Sequence, residues 1–299
     1  MFFCGNSAEN LLSTSSTSKV ASDHDPDIHT QHRTTIHMPK LVIFTGAGIS
    51  ADSGLSTFRD PEGIWTREAI DLVCDYSSWK RNRKEVFRFY NARRAQLAQV
   101  EPNAAHLTVA RLQHLYGAVL ITQNVDDLHE RAASIEGYEA NVMHVHGRLT
   151  HMMCTSPGCV PWEIGYRHAH PDTEYCPRCA SPKGVKPQIV LFGEPAPLYR
   201  PMRDVLKRLK YKDVLLVIGT SGKVVDIGEV AMKTDATTIL SNLEPSTEQW
   251  LPEAPCIEDG QFDHVIHGRA AEMAPQIEAL VHRLMAGDNA IPKIPVATA

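Results

Sequence analysis

Residues 41–51 read LVIFTGAGISA, a run of four apolar residues and Thr45 followed at once by a Gly-x-Gly pair. Such a run favours a buried β-strand. Glycines placed directly after a strand let the backbone approach a pyrophosphate, while the N-terminus of the next helix faces its charge. Ala51 completes a Gly-x-Gly-x-x-Ala pattern, yet no acidic residue closes a second strand about 20 residues later to bind a ribose. The stretch therefore predicts a nucleotide-binding α/β fold that holds its cofactor differently from a dehydrogenase.

Short β-rich runs alternate with helical stretches along the rest of the chain, a rhythm typical of a parallel sheet with helices on both faces. The runs are almost continuously apolar, as expected for strands that are buried on both faces. The predicted strands are Leu41–Thr45, Ala118–Thr122, Asn141–His144, Val214–Gly219, Thr237–Leu240 and His264–His267.

Two long segments interrupt this rhythm, a helical module at 61–100 and a cysteine-containing module at 150–187. We interpret both as insertions that together build a smaller domain against the sheet. Residues 1–37 are rich in Ser, Thr, His and Asp without lasting periodicity, which predicts a disordered leader. The folded domain is then expected at 38–286, followed by a flexible tail at 287–299.

The cysteine-containing module carries two pairs, Cys-x4-Cys and Cys-x2-Cys, that are separated by sixteen residues. This spacing is short enough for two knuckles to meet and place four thiolates tetrahedrally around one Zn²⁺. A disulfide pair is the alternative, and it is disfavoured because nothing marks the chain as secreted. Four cysteines close the coordination shell, so the zinc is expected to be structural. The predicted ligands are Cys154, Cys159, Cys176 and Cys179.

The overall composition restricts the possible partners. The chain has 299 residues, 43% of them hydrophobic, and a formal net charge of −5. This charge argues against a direct nucleic-acid or anionic-membrane role. The sequence has neither an apolar run long enough to span a membrane nor a signal peptide. Cys4, Cys74 and Cys256 are an odd, scattered set that suits a reducing compartment, so we expect a cytoplasmic protein.

Polar side chains follow two of the predicted strands. Gln123, Asn124 and Asp126 come directly after the second strand, at the end where an open α/β sheet binds ligands. The alternative is that these residues only cap the following helix. His146 follows the third strand, eight residues before Cys154. A single histidine is more often structural than catalytic, but this one lies between the predicted nucleotide site and the zinc module.

Taken together, these motifs resemble those of the sirtuins, which are NAD-dependent protein-lysine deacylases. The resemblance covers about residues 41–271. Its motifs are, in chain order, Gly46-Ala47-Gly48-Ile49-Ser50-Ala51-Asp52-Ser53-Gly54, Thr57-Phe58-Arg59-Asp60, Thr122-Gln123-Asn124-Val125-Asp126, His146-Gly147, the four cysteines, Phe192-Gly193-Glu194, Gly219-Thr220-Ser221 and Asn242-Leu243-Glu244. The resemblance implies a Rossmann-like parallel sheet with a smaller inserted domain, built from a zinc ribbon and a helical module, and a cleft between them for NAD and acyl-lysine.

The resemblance also implies a reaction. The acyl carbonyl oxygen attacks the nicotinamide ribose carbon, which releases nicotinamide and leaves an O-alkylimidate on the way to O-acyl-ADP-ribose. His146 acts as general base toward a ribose hydroxyl, while Asn124 and Asp126 position the nicotinamide. The cofactor-binding residues implied are Gly46, Ala47, Gly48, Ser50, Phe58, Arg59, Trp65, Gln123, Asn124, Val125, Asp126, Gly219, Thr220, Ser221, Asn242, Leu243, Glu244 and Ala270. The implied groove, where a substrate peptide pairs as an added strand, is lined by Phe192, Gly193 and Glu194.

Tyr90 and Arg93 lie three residues apart in the helical module, on one helix face. A phenol and a guanidinium can grip a carboxylate, and arginine suits this because its fork binds bidentately. The pair resembles that of the sirtuins that remove succinyl, malonyl and glutaryl groups. The alternative is that Arg93 joins Arg94 on a solvated face while Tyr90 packs in the core.

Two other functions remain open from the sequence. An NAD glycohydrolase or ADP-ribosyltransferase would keep the fold and pass the ribose to water or to a protein side chain. A non-enzymatic zinc module would bind nucleic acid or a protein partner, which the acidic charge disfavours. The expected partner is an acylated lysine on a protein substrate, and the sequence does not indicate an oligomeric state.

Overall fold

The computed structural model describes residues 40–55, 72–245 and 257–287. Its larger sheet has six strands: β1 Leu41–Thr45, β2 Val119–Thr122, β3 Val142–His144, β7 Val214–Ile218, β8 Thr237–Asn242 and β9 His264–His267. They pair in the order β3-β2-β1-β7-β8-β9, and every pairing is parallel. The predicted parallel sheet is confirmed, with strand ends that agree to within two residues.

Apolar sequence explains why β1 and β7 occupy the centre of this sheet. All five residues of each strand are buried. Successive side chains point to opposite faces of a strand. Leu41 and Ile43 accordingly join one hydrophobic cluster, and Val42 and Phe44 join another. Two cores, one on each face, therefore enclose the sheet.

Helices cover both faces. The helices around the large sheet are α1 Gly48–Ala51, α3 Ala104–Tyr116, α4 Leu128–Ile135, α5 Tyr199–Leu206, α6 Ile227–Lys233 and α7 Ala270–Met285. Helices α3 and α7 bury their apolar residues in the first core, and α5 and α6 bury theirs in the second. None of the helices within the described ranges is long and apolar enough to cross a membrane.

A second, smaller structural unit combines the two predicted insertions. It contains helix α2 Arg83–Leu97 and the strands β4 Gly147–Cys154, β5 Trp162–Glu163 and β6 Val185–Ile189, which form an antiparallel sheet in the order β5-β4-β6. Phe87 of α2 packs among Met152, Cys176 and Val185. The side chain of Asn91 also donates to the backbone oxygen of Ala169 at 2.7 Å. Helix α2 and the cysteine module therefore share one core.

The predicted division at 38–286, with modules at 61–100 and 150–187, stays a prediction. The expected leader at 1–37 lies outside the described residues, as does the expected tail at 287–299 apart from Gly287.

Candidate active site

The carboxyl ends of β1 and β7 meet through backbone alone. The Gly46 nitrogen donates to the Ile218 oxygen at 2.9 Å, and the Gly48 nitrogen donates to the Gly219 oxygen at 2.8 Å. A Cβ atom on Gly48 would lie 2.7 Å from the Gly219 Cα, and Gly219 itself has a φ of +65°. Because neither position leaves room for a side chain, the predicted phosphate loop is a close contact between two glycine segments.

The side chain of Asn242 holds the backbone of Thr220 in place. Its side-chain oxygen accepts from the Thr220 backbone nitrogen at 3.1 Å, and its amide nitrogen donates to the Thr220 oxygen at 3.0 Å. The Gln123 side chain donates to the Thr220 hydroxyl at 2.8 Å. Hydrogen bonds therefore connect the carboxyl ends of β2, β7 and β8 at the predicted phosphate and ribose positions. Ser221, next to Thr220 in the chain, is half-buried.

Asn124, Ser50 and Asp126 form a buried polar network below the glycine loop. The Asn124 amide donates to the Gly46 oxygen at 3.1 Å and to the Ser50 hydroxyl at 3.2 Å. Ser50 donates to the Asp126 carboxylate at 3.0 Å. Burial raises the pKa of Asp126 to about 6. A carboxylate held in such a site at a cost in free energy is typical of functional positions.

The structure also indicates why the alternative of helix capping is incomplete. Asp126 accepts from the Leu128 nitrogen at 3.3 Å, which is a capping contact, but its other oxygen serves Ser50. Asn124 makes no contact with α4 among its hydrogen bonds within the described residues. The two side chains are therefore oriented by the glycine loop as well as by the helix.

His146 lies beyond the end of β3, with both ring nitrogens engaged. Its Nδ1 is 3.0 Å from the Gln123 carbonyl oxygen. A carbonyl can only accept, so Nδ1 carries the proton. Its Nε2 is then the acceptor, and it lies 2.8 Å from the hydroxyl of Tyr199, which donates. Burial lowers the pKa of His146. The ring is thus held neutral, with Nε2 available as a base.

Tyr199 is a hydrogen-bond partner of His146 that the sequence did not reveal. It begins α5, 53 residues after His146, and no spacing pattern connects the two. His106 was also missed. Its Nδ1 accepts from the Asn103 nitrogen at 3.3 Å, which leaves Nε2 to donate to Ser50 at 3.3 Å. The Asn103-x-x-His106 capping box at the start of α3 was the available signal for this second residue.

His144 forms a second layer behind the network. Its Nδ1 lies 3.0 Å from the Asn124 carbonyl oxygen, and its Nε2 lies 2.7 Å from the Glu130 carboxylate. Because Glu130 belongs to α4, this contact joins β3 to the helix that follows Asp126. The backbone of Asn124 is therefore held by His144 as well as by its own contacts with the glycine loop.

The remaining predicted cofactor residues surround this edge. Ala47 precedes α1 and is half-buried, and Val125 packs against the core of the smaller unit. Leu243 and Glu244 are exposed beyond β8, while Ala270 is buried at the start of α7. Phe58, Arg59 and Trp65 lie outside the described residues.

Tyr90 and Arg93 have different environments on α2. Tyr90 is 2% exposed, and its hydroxyl lies 3.5 Å from the Cys74 sulfur. Arg93 is half-buried over the Phe89 ring, 5.4 Å from its centroid. Its Nε is buried without a hydrogen-bond partner, and no carboxylate of the described residues forms an ion pair with it. Burial lowers the pKa of Arg93.

Arg94, in contrast, is fully buried. It donates to the Leu149 oxygen at 3.2 Å. The solvated Arg93–Arg94 face considered from the sequence is therefore wrong for Arg94.

The predicted peptide-groove segment is anchored rather than loose. The Phe192 nitrogen donates to the Cys74 oxygen at 2.7 Å, and the Tyr76 nitrogen donates to the Phe192 oxygen at 3.0 Å. The ring of Phe192 is 53% exposed, and Gly193 follows with a φ of +79°. Glu194 turns inward and pairs with the buried Lys186 at 2.9 Å. This buried ion pair therefore fixes the C-terminal end of the segment.

The four predicted zinc ligands come together. Their sulfur atoms all lie within 4.8 Å of one another, and the Cys154 and Cys179 sulfurs are 3.8 Å apart. Tetrahedral Zn–S bonds of about 2.3 Å would separate two sulfurs by about 3.8 Å. All four cysteines are free thiols, which argues against the disulfide alternative. The cluster therefore fits one Zn²⁺ in a closed shell.

An open parallel sheet with a polar site at its carboxyl edge is the arrangement typical of nucleotide-binding α/β proteins. The Sir2 family model matches residues 46–226 of this chain. An NAD-dependent protein deacylase of Helicobacter hepaticus is 39% identical over 264 residues, covering 81% of this chain and 96% of the relative. One of Escherichia coli K12 is 36% identical over 260 residues, covering 84% and 86%. The chain belongs to the Sir2 family, as the sirtuin resemblance predicted.

Solved structures of Sir2 homologues have a similar fold. A mutant Sir2 homologue in complex with ADP ribose has a TM-score of 0.66 and 30% identity, covering 85% of this chain and 95% of the other. A Sir2 homologue–NAD complex has a TM-score of 0.64 and 32% identity, covering 82% and 90%.

Proposed function

We propose that this chain is an NAD-dependent protein-lysine deacylase that releases nicotinamide and O-acyl-ADP-ribose. Membership of the Sir2 family supports the reaction class, as do relatives named NAD-dependent protein deacylase. The observation that carries the proposal is His146 in its neutral form, with Nε2 beside Tyr199 and Nδ1 held by Gln123 at the polar edge of the sheet.

NAD, when bound, supplies the ribose carbon that accepts the acyl oxygen. The glycine loop and Gly219 fit its phosphates because they expose backbone without side chains. Asn242 fits the adenosine ribose. Asn124 and Asp126, oriented through Ser50, fit the carboxamide of nicotinamide, since an amide needs both a donor and an acceptor.

His146 acts as general base in this scheme. Its Nε2 accepts a proton from a ribose hydroxyl, and the Gln123 carbonyl stabilises the Nδ1–H of the imidazolium that forms. Tyr199 donates to the same nitrogen. A substrate hydroxyl that gives its proton to Nε2 must therefore replace the Tyr199 contact, and we propose that Tyr199 orients the ring.

The finer proposal is that Tyr90 and Arg93 bind acyl groups that end in a carboxylate, such as succinyl or malonyl. Support comes from the half-buried Arg93 guanidinium, whose Nε has no hydrogen-bond partner. Desolvation that lowers the pKa of Arg93 would be offset by a bound anion. Deacetylation needs no such partner and remains part of the proposed activity.

Phe192 and Gly193 are proposed to line the groove for the substrate peptide. Phe192 already forms a bridge with Asp75, and an extended peptide can add to such an edge. The zinc cluster is proposed to hold the smaller unit in place without contacting substrate. A cytoplasmic location and the absence of nucleic-acid and membrane partners stay predictions.

One assay tests the proposal against its alternatives. Purified protein is incubated with NAD and either acetyl-lysine or succinyl-lysine peptide, and nicotinamide release is measured. Release that requires an acyl peptide is the expected result. Release without peptide would indicate a glycohydrolase, and transfer of labelled ADP-ribose to protein would indicate a transferase. No release under any condition would indicate a binding module.

A further inference from the structure

Helix α5 and the turn after it carry an unusual concentration of positive charge. Residues 200–212 contain six basic side chains and one acidic side chain, in a chain whose formal net charge is −5. All six basic residues are exposed. We refer to them as the α5 basic surface: Arg200, Arg203, Lys207, Arg208, Lys210 and Lys212.

Helical geometry aligns part of this surface. Arg200, Arg203 and Lys207 are spaced i, i+3 and i+7, which places them along one stripe. Met202 and Leu206 occupy the other side of the helix and are buried in the core beneath the sheet. The stripe therefore faces away from the protein interior.

The stability of the fold does not account for these charges. None of the six basic residues forms an ion pair with a carboxylate of the described residues. The first turn of α5 contains no acidic residue, and Arg200 lies there, where the helix dipole disfavours a basic side chain. Arg203 lies in the last turn, where the dipole favours its charge, but it has no paired carboxylate among the described residues. The surface is therefore suited to an anionic partner.

The surface adjoins the candidate active site. Tyr199, the first residue of α5, donates to His146 at 2.8 Å. The groove segment that ends at Glu194 precedes the helix by only a few residues. An eight-residue helix is about 12 Å long, and an extended peptide covers that distance in about four residues. Side chains close to a bound acyl-lysine are thus within reach of the stripe.

We propose that the α5 basic surface selects acylated protein substrates that carry acidic side chains near the modified lysine. This inference rests on the proposed deacylase function and adds a substrate class to it. Continuity with the acyl-lysine site favours a protein substrate over nucleic acid or lipid. The ion pairs between this surface and the substrate would be exposed to solvent, so each contributes little binding free energy. Together they affect the association of substrate more than the chemical step.

The test uses three acyl-lysine peptides that differ only in their flanking residues, which are Glu, Gln or Lys. The full chain is compared with the triple variant Arg200→Gln/Arg203→Gln/Lys207→Gln. The expected result is that kcat/KM for the Glu peptide exceeds that for the Gln peptide, and that the triple variant loses this advantage by about three- to tenfold, mainly through KM. The Gln peptide should be turned over equally by both proteins. Added salt should reduce the advantage in the unchanged protein only.

A matched control removes three exposed basic residues from other faces, Lys183→Gln/Lys233→Gln/Arg283→Gln. It has the same net charge as the α5 variant and should retain the preference for the Glu peptide. An equal loss in both triple variants would overturn the proposal, because net charge alone would then explain the effect. Equal rates on the Glu and Gln peptides in the unchanged protein would also overturn it.

The outcomes separate this inference from the proposed function. If no peptide supports nicotinamide release, the deacylase proposal fails, and peptide affinity measured by fluorescence polarisation still decides the α5 proposal. Preferential binding of the Glu peptide that depends on the stripe supports it, and equal binding of all peptides overturns it. Duplex DNA, RNA or anionic vesicles that bind through the stripe, without any peptide preference, would assign the surface to another class of partner and overturn it.

Discussion

Two nearby groups determine the tautomer of the His146 ring, and burial favours its neutral form. The Gln123 carbonyl holds the proton on Nδ1, and Tyr199 meets Nε2. Burial lowers the pKa of His146, so the neutral ring predominates at neutral pH. A base must be unprotonated to act, and a fixed tautomer puts its lone pair in one direction.

Replacement of His146 by Ala is expected to reduce deacylation by about 10²–10⁴-fold, because it removes the general base. NAD binding, measured by calorimetry, should change little. His114→Ala is the control, since His114 is exposed and stacks on Tyr138 away from the sheet edge. Near-normal turnover by His146→Ala would mean that another group accepts the proton.

Arg93 belongs to the same scale, and its proposed role is in the choice of acyl group. Replacement by Met should reduce kcat/KM for a succinyl-peptide by roughly ten- to a hundredfold, because a charge-assisted bond contributes about 1.5–3 kcal/mol. An acetyl-peptide has no carboxylate and should lose little. Arg88→Met is the matched control on the same helix, since its side chain is 81% exposed. Equal losses on both peptides would make Arg93 structural.

At the scale of elements, the cysteine cluster joins the end of β4 to the segment that precedes β6. Strand β5 has two residues, and β4 has a register shift in its pairing with β6. The small core around Met152 and Phe87 includes Cys154 and Cys176 themselves. A metal bound to these sulfurs therefore contributes directly to folding of the smaller unit.

Replacement of Cys176 by Ser is expected to lower bound zinc from about one per chain and to reduce activity through loss of structure. Zinc content is measured by atomic spectroscopy and folding by thermal unfolding. Cys74→Ser alters a thiol outside the cluster and should leave the zinc content unchanged. A folded, fully active preparation without zinc would contradict a structural role.

For the molecule as a whole, ionisation of the buried Asp126 lowers the stability of the fold, while its carboxylate is proposed to help position nicotinamide. Its folded-state pKa of about 6 lies above the ordinary value of 3.8 because of burial. The folded state therefore binds this proton more tightly than the unfolded state does. Stability from this group is present at low pH and is lost as pH rises through about 4 to 6. At neutral pH the ionised carboxylate costs the fold up to about 3 kcal/mol.

Asp126→Asn should therefore raise the midpoint of thermal unfolding at about pH 7.5 and have little effect at about pH 4, while deacylation is lost. The Asn oxygen can still accept from the Leu128 nitrogen, and its amide nitrogen takes the second position, where it donates to the Ser50 hydroxyl instead of accepting from it. The exposed Asp204→Asn should shift neither midpoint. A lower midpoint for Asp126→Asn at about pH 7.5 would show that the charge stabilises the fold.

The chain's local patterns were sufficient for the sheet, the order of its motifs and the four zinc ligands. Buried strands produce apolar runs that are visible within five residues, and knuckle spacing limits where thiolates can meet. The internal structure of the small unit was less visible: β5 has only two residues, and a long loop-rich segment separates β4 from β6, so their pairing leaves no local pattern to detect.

Contacts across long sequence separations depended on the folded structure. Tyr199 meets His146 across 53 residues, and Asn242 meets Thr220 across 22. Glu194 pairs with the buried Lys186. Strand and helix patterns are local and repeat along the chain, whereas these contacts arise only when packing of the sheet and its helices brings distant segments together. For this reason the sequence did not reveal which residues orient His146 and which hold the segment 192–194 in place.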